Sequence, residues 1–415
     1  MPVEFNPLLP EHQRDPYPLY HALRAEDPVH WSPLFQGWVL TRHADVSAVL
    51  RDPRFGVERG ETDLIRGAPM PAVRPELREV ADALKRTLLF VDPPAHTRLR
   101  GLVNKTFTPH MVDAYAPRIQ AIVDARLDAV AAAGRMDLMR DLANPVPVTV
   151  IAEVLGVPAA DQGEFLRWSE DIGEPLDPFV TPEAFERAQA SATEMYRYFQ
   201  GVFAERRRRP RGDLVSALVA AEEQGRVPSE PELFAMCALL LGAGHRTTTN
   251  FLGNTVSALL RHPGERRRLA DVPGLLPTAL AESLRWESPV QVTARIARER
   301  SALGGKTIGV GDFVIVLLGA ANRDPVEFRD PDRLDVGRRE NRHLAFSAGI
   351  HTCLGSRLAL LEGEVVLTTL FRRFPDLALE DEAPDWKPAV IARGLATLGL
   401  RFAPARAAAG SAARP

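Results

Sequence analysis

The chain has 415 residues, with 51 Lys and Arg against 54 Asp and Glu, a net charge of -3; no overall basic field points to nucleic acid. Hydrophobic residues make up 45% and charged residues 25%, ordinary globular proportions that allow a sizeable core. The two cysteines, Cys237 and Cys353, are far apart and in unlike contexts, which argues against a disulfide framework and fits a reducing cytoplasm.

Met1 to Pro18 is polar and proline-rich. It lacks a basic start followed by an apolar stretch, so it does not read as a signal peptide. Gly37 to Thr41 is β-prone. Asp52–Pro75 and Gly173–Pro182 read as long loops, either binding lids or plain surface connections. Apolar residues at 3–4 spacing predict helices over Ile119–Val130 and Glu183–Phe203. The run Arg206 to Arg209 holds no aromatic residue and is followed by Asp213, so it reads as a solvated helix end. The most apolar run, Leu233 to Gly244, falls short of the roughly 20 residues a bilayer span needs. A soluble chain that binds no membrane is expected.

Leu233 to Leu260, between Pro231 and Pro263, predicts a helix of about 28 residues and roughly 42 Å. Thr307–Val310 and Phe313–Val316 flank Gly311-Asp312, a hairpin signal, and Leu395–Phe402 reads as one more strand. The segment 404–415, built of Ala, Arg, Gly, Ser and Pro, is expected to be disordered. With no internal repeat and no Gly/Ser linker, residues 1–403 are expected to form a single domain, mainly α with a minor β region.

One segment carries chemistry: Phe346-Ser347-Ala348-Gly349-Ile350-His351-Thr352-Cys353-Leu354-Gly355, followed by a long apolar helical pattern. A cysteine just before a helix N-terminus sees the positive end of the dipole, which favours thiolate. Backbone amides there donate to the sulfur, and Gly349 and Gly355 let the backbone approach a flat cofactor closely. A lone cysteine is also often a small buried hydrophobe. Zinc is a poor alternative, because His343, His351 and Cys353 lack a fourth ligand nearby. Pairing of Cys353 with His351 as nucleophile and base is disfavoured by their two-residue spacing.

This segment resembles the haem-binding loop of the cytochrome P450 family, Phe-x-x-Gly-x-His-x-Cys-x-Gly, at every defined position, with Ser347 replacing a common glycine. The resemblance extends over nearly the whole chain. Glu282-Ser283-Leu284-Arg285 is similar to the family's Glu-x-x-Arg pair, and Pro331-Asp332-Arg333-Leu334 to the stretch whose arginine joins it. Asp92 to Arg100 is similar to the segment opening the helix that crosses the haem, and Asn322 to Pro325 is familiar from soluble bacterial members. The resemblance implies a P450 fold with haem b (iron protoporphyrin IX) between the Cys353 loop and the long helix, and Cys353 as the iron ligand. Phe346, Gly349 and Gly355 belong to the cofactor-binding loop. His96, Arg100, Arg295 and His351 match positions that contact the propionates.

The middle of the long helix, Gly242 to Thr249, resembles the family's Ala-Gly-x-Asp/Glu-Thr signature. Read alone, its glycines suit a ligand groove or a close helix contact, at about 1 kcal/mol each against alanine. Ala243, Gly244 and Thr247 match the signature, but Arg246 stands in place of the acid. Arginine cannot relay by losing a proton, so proton delivery differs from the usual pattern. Arg246 is expected to pair with Glu170, Asp171 or Glu174 rather than point at iron.

The resemblance implies a monooxygenase that inserts one atom of dioxygen into an apolar or amphipathic substrate, in secondary metabolism by its composition. Phenol coupling or peroxide-driven oxidation is the alternative. Electrons are expected from a ferredoxin and its reductase, with NAD(P)H as source, docking near Arg98, Arg100, Lys105, Arg342 and Arg357. A cytoplasmic monomer is expected. Val290, Val292 and Thr293, with the segments Gly56–Leu88 and Phe165–Thr181, are the expected pocket lining.

Overall fold

The computed structural model describes residues 3–58, 73–173, 181–227 and 229–404. Most of segment 404–415 and parts of both long loops, Glu174 included, lie outside them. Helices dominate. Those that frame the site are α1 (Ala95–Val103), α2 (Gln162–Gly173), α3 (Pro182–Arg208), α4 (Glu230–Arg261), α5 (Leu276–Trp286) and α6 (Ser356–Arg373). The helix predicted over Ile119–Val130 spans Ala116–Ala131. Thr181 caps α3 by accepting the Ala184 amide, and Pro182 begins it.

The 32-residue α4 crosses the whole helical core, about 48 Å at 1.5 Å per residue. Leu233, Phe234, Cys237, Leu241, Phe251, Leu252, Val256 and Leu259 on it are buried. Residues from the neighbouring helices complete this main cluster, among them Ile151, Phe165, Phe199 and Leu370.

A five-stranded sheet stands beside the helices: β1 (Val29–Ser32), β2 (Gly37–Leu40), β3 (Phe55–Gly56), β4 (Val292–Ala297) and β5 (Phe313–Leu317), in the order β1-β2-β5-β4-β3. Only β2 and β5 run parallel. Its faces support two further cores, as the two-residue period of a strand requires. Val292, Ala294, Phe313 and Ile315 face Phe5, Tyr17, Tyr20 and Phe35. Ala297, Val314 and Val316 face Val46, Val49 and Leu344.

Three expectations change. Gly311 adopts φ +83°, but the strands flanking it do not form a hairpin. Lys306–Ile308 pairs back onto Ser301–Leu303, whereas β5 is drawn between β2 and β4. The C-terminal strand divides at Leu398. Leu395–Thr397 joins Asp385–Trp386, and Gly399–Arg401 joins Arg135–Asp137 and Ala378–Leu379. Arg206 is not solvated: its buried guanidinium binds Asp213 at 2.8 Å and the Gly156 carbonyl at 2.9 Å.

Candidate active site

The loop before α6 is closed by its own backbone, with the Cys353 amide donating to the Phe346 carbonyl at 2.9 Å. Two residues in it take left-handed geometry, Ser347 at φ +59° and Gly349 at φ +72°. At Gly349 a side chain would also strike the Leu50 carbonyl, so glycine is required there on two counts. From α1, Arg100 donates to the Ile350 carbonyl at 3.0 Å and the Thr352 carbonyl at 2.7 Å. The guanidinium thus clamps the loop from below.

Cys353 retains free surface, yet burial among the protein atoms around it is the largest influence on its thiol. Burial pushes its pKa up, while the Gly355 amide, Arg100 and the Ser356 amide act in the opposite direction. The helix start therefore favours thiolate as its position predicts, but without an added cation desolvation outweighs it.

Beside the loop lies a polar cluster. His96 on α1 and His351 on the loop meet edge to face, ring centroids 4.4 Å apart. The Nε2 atoms of both are buried without a hydrogen-bond partner. Arg295, buried on β4, donates to the Ala294 carbonyl at 2.8 Å and lies close enough to act on His351. Burial, then Arg295 and His96, lower the His351 pKa to about 4, and burial with Arg100 lowers that of His96. Two orphaned imidazole nitrogens amid arginines suit an acidic group from outside the chain.

On α4 the middle turns open out. Ala243 is exposed, and Leu239, Gly242, Gly244, Arg246 and Thr247 are partly so, in a helix otherwise largely buried. The Thr247 hydroxyl donates back to the Ala243 carbonyl at 2.7 Å. Gly244 is a packing glycine, since a Cβ would come within 3.1 Å of Ile151. Arg246 lies over Gly173, the last residue of α2, where a Cβ would come within 2.5 Å of its Cδ and 2.7 Å of a terminal nitrogen. Asp171, one expected partner, accepts from Ser191 at 2.5 Å. His245, unremarked in the sequence, bonds Ser169 of α2 through Nδ1 at 2.8 Å.

The buried Glu282 and Arg285 pair at 2.7 and 2.8 Å. The cation that joins them is Arg338, at 3.0 and 3.1 Å from Glu282. Arg333, the expected third member, is exposed and contributes only its carbonyl to Arg285 at 3.2 Å. Of the expected pocket residues, Thr293 and Val290 are partly exposed, whereas Val292 is buried on the opposite face of β4 against Tyr17 and Phe35. Strand alternation separates it from Thr293 and Arg295.

A family model described as Cytochrome P450 matches residues 270–389. The monooxygenase PikC of Streptomyces venezuelae is 41% identical over 397 residues, covering 94% of this chain and 91% of PikC. The chain belongs to the cytochrome P450 family. The structure of CalO2 superposes with TM-score 0.89 at 36% identity, covering 97% of this chain and 99% of CalO2. That of P450BioI bound to an acyl carrier protein carrying hexadec-9Z-enoic acid gives 0.87 at 35%, covering 95% and 99%.

As a P450, the protein is an oxidoreductase of the monooxygenase class with a haem-iron cofactor. The orphaned His96 and His351 nitrogens beside Arg295 fit the acidic edge of such a cofactor. The exposed Cys353 thiol, beside Arg100 and the Gly355 and Ser356 amides, fits its metal. Among the described residues no helix is long and apolar enough to cross a membrane.

Proposed function

We propose that Cys353 would ligate the iron of iron protoporphyrin IX, held between the 346–355 loop and the Gly242–Thr249 stretch of α4. One observation carries this reading: the exposed Cys353 thiol stands at the start of α6, on a loop closed by its own backbone, and receives the Gly355 and Ser356 amides. Bound haem supplies oxygen activation, and thiolate donation to its iron favours O–O cleavage. His96, Arg295 and His351 hold the propionates. Phe346, Gly349 and Gly355 shape the loop under the macrocycle. Arg100 fixes that loop through two carbonyls rather than serving the propionates first.

Ala243 and Thr247, on the open side of α4, would line the space where oxygen is activated. The Thr247 hydroxyl directs its proton to the Ala243 carbonyl, which leaves its oxygen lone pairs to accept from water. Arg246 keeps its proton at any working pH. Protons therefore reach Thr247 through water. Val290 and Thr293, with Leu239 and Ala243, give an apolar lining with few charges.

Electrons come from a ferredoxin and its NAD(P)H-linked reductase in the cytoplasm, and the enzyme acts as a monomer. P450BioI, solved with an acyl chain on its carrier, makes long-chain fatty acids, free and carrier-bound, the first compounds for a spectral binding screen. Reduced protein with carbon monoxide should show the red-shifted Soret band of thiolate-ligated haem. Cys353→Ser should lose it, and Cys237→Ser should keep it, because Cys237 is packed in the core. An unshifted band in folded wild-type protein would overturn the assignment.

Arg246 at the usual acid position favours a second reading, oxidative coupling or peroxide-driven oxidation. Turnover under isotopic dioxygen separates coupling from monooxygenation: only monooxygenation places label in the product.

A further inference from the structure

Asp92 is buried just before α1, and groups from three other segments converge on its carboxylate. Oδ2 accepts the Val57 and Glu58 amides at 3.0 Å each and the Arg298 guanidinium at 2.5 Å. Oδ1 accepts the Val57 amide at 3.2 Å and stands 3.8 Å from His351 Nε2. The strand beneath is built to admit this arrangement. At Gly56, paired with Ile296 across β3 and β4, a Cβ would fall inside the Arg298 guanidinium and within 2.6 Å of Asp92 Oδ2.

Two amides and a guanidinium satisfy a carboxylate in its charged form. That charge is rigidly held, shielded from water and directed at the imidazole of the polar cluster. Its countercharge is less effective, because the Arg298 side chain is 41% exposed against 7% for Asp92 and water and salt screen it.

We propose that Asp92 is a positioning residue for the cofactor. It fixes a negative charge against His351 and, with Arg298 as its partly screened partner, biases the haem iron toward the oxidised state. This rests on the reading that His96, Arg295 and His351 face the propionates. Reduction adds an electron, so a fixed negative charge nearby opposes it and a positive charge assists it.

The test is a spectroelectrochemical titration of the substrate-free holoenzyme. Asp92→Asn should raise the ferrous-to-ferric ratio at fixed potential by about three- to tenfold, the effect of one unit charge acting over roughly 12–25 Å at an effective dielectric of about 20. Arg298→Gln should lower it by a smaller factor, and the double variant should fall between. His96→Ala is the reference arm. If it changes potential or haem retention while Asp92→Asn leaves the potential unmoved, this inference fails and the propionate reading stands. If His96→Ala is silent in both, the propionate reading fails and this inference with it. A shift of the same sign in Asp92→Asn and Arg298→Gln would show a loosened site rather than a field effect, and would also overturn it. Should Asp92→Asn fail to retain haem, the Arg298→Gln arm, on an exposed side chain, still decides the sign.

Discussion

Arg338 donates through Nε to both carboxylate oxygens of Glu282, at 3.1 and 3.0 Å, although it lies 56 residues further along the chain. With Arg285 on the other side, the Asp335 amide at 2.9 Å and Asn341 at 3.2 Å, every acceptor site of the buried Glu282 is used. A buried carboxylate that loses one cation is costly, about 3–5 kcal/mol. Arg338→Met should therefore lower unfolding stability by several kcal/mol. Arg333→Ala, on an exposed side chain, should stay within about 0.5 kcal/mol. Denaturant unfolding of both variants checks this, and equal losses would refute the triad as drawn.

The pattern of what the sequence reveals follows from range. Glu282 and Arg285 are legible because a three-residue spacing on a helix places them together whatever else happens. Their third partner is not, because Arg333, Arg338 and Arg339 are all near in sequence and only the tertiary path of residues 329–341 selects one. The Cys353 loop is legible for the same local reason: its glycine, its amides and the start of α6 lie within about ten residues of one another. The Gly311 turn was visible too, but not that β2, some 270 residues earlier, would capture the strand after it. Val292 shows the same limit. Alternation says that it and Thr293 face opposite ways, but not which face meets the site. The His245–Ser169 and Asp92–Arg298 contacts join segments with no local signal at all.

His245 gives a pH prediction. Burial lowers its pKa to about 3, with Arg246 and Lys387 acting the same way and the Asn144 carbonyl opposing them. The unfolded imidazole titrates near 6.5. Between those values the unfolded chain holds a proton that the folded chain does not, so stability rises with pH there. The contribution is complete above about pH 6.5 and is lost as pH falls toward 3. Each such proton gives a slope of about 1.4 kcal/mol per pH unit. His245→Gln should flatten the acid limb between pH 6 and 4.5 by about that amount. His343, also lowered to about 4 by burial, should keep part of the slope. An unchanged slope in urea unfolding would assign the proton elsewhere.

Electron delivery should depend on salt. Around the Cys353 loop, Arg98, Lys105 and Arg342 are exposed. Arg357 is held by Asp113 at 2.6 to 3.0 Å, and Arg100 is committed to the loop carbonyls. Charges of this kind act mainly on association rate. Reduction by an acidic ferredoxin should slow as ionic strength rises toward about 0.15 M. Lys105→Glu and Arg342→Glu should slow it several-fold, and Arg357→Ala should matter less. Stopped-flow reduction rates decide, and a salt-independent rate would remove this face as the docking site.

The last prediction concerns Arg246 and Gly173. The arginine lies over the final residue of α2, where only glycine leaves room for it, and a cation at a helix C-terminus is favourable. One residue earlier, His245 ties α4 to Ser169 of the same helix. The Gly173 contact gives Arg246 a task that needs no proton transfer, namely holding α2 over the site together with His245. Gly173→Ala should displace the arginine and weaken substrate binding in optical titrations. In an Arg246→Ala background the same change should be nearly silent, because the side chain it would strike is gone. That non-additivity marks a direct contact. Arg246→Ala should weaken binding too, yet keep much of the product formed per dioxygen consumed once substrate is saturating, since water serves Thr247. If its loss falls on anionic ligands alone, the guanidinium grips substrate rather than α2. If affinity and haem content hold while product per dioxygen collapses, Arg246 organises the proton path itself, and the assignment to α2 is wrong.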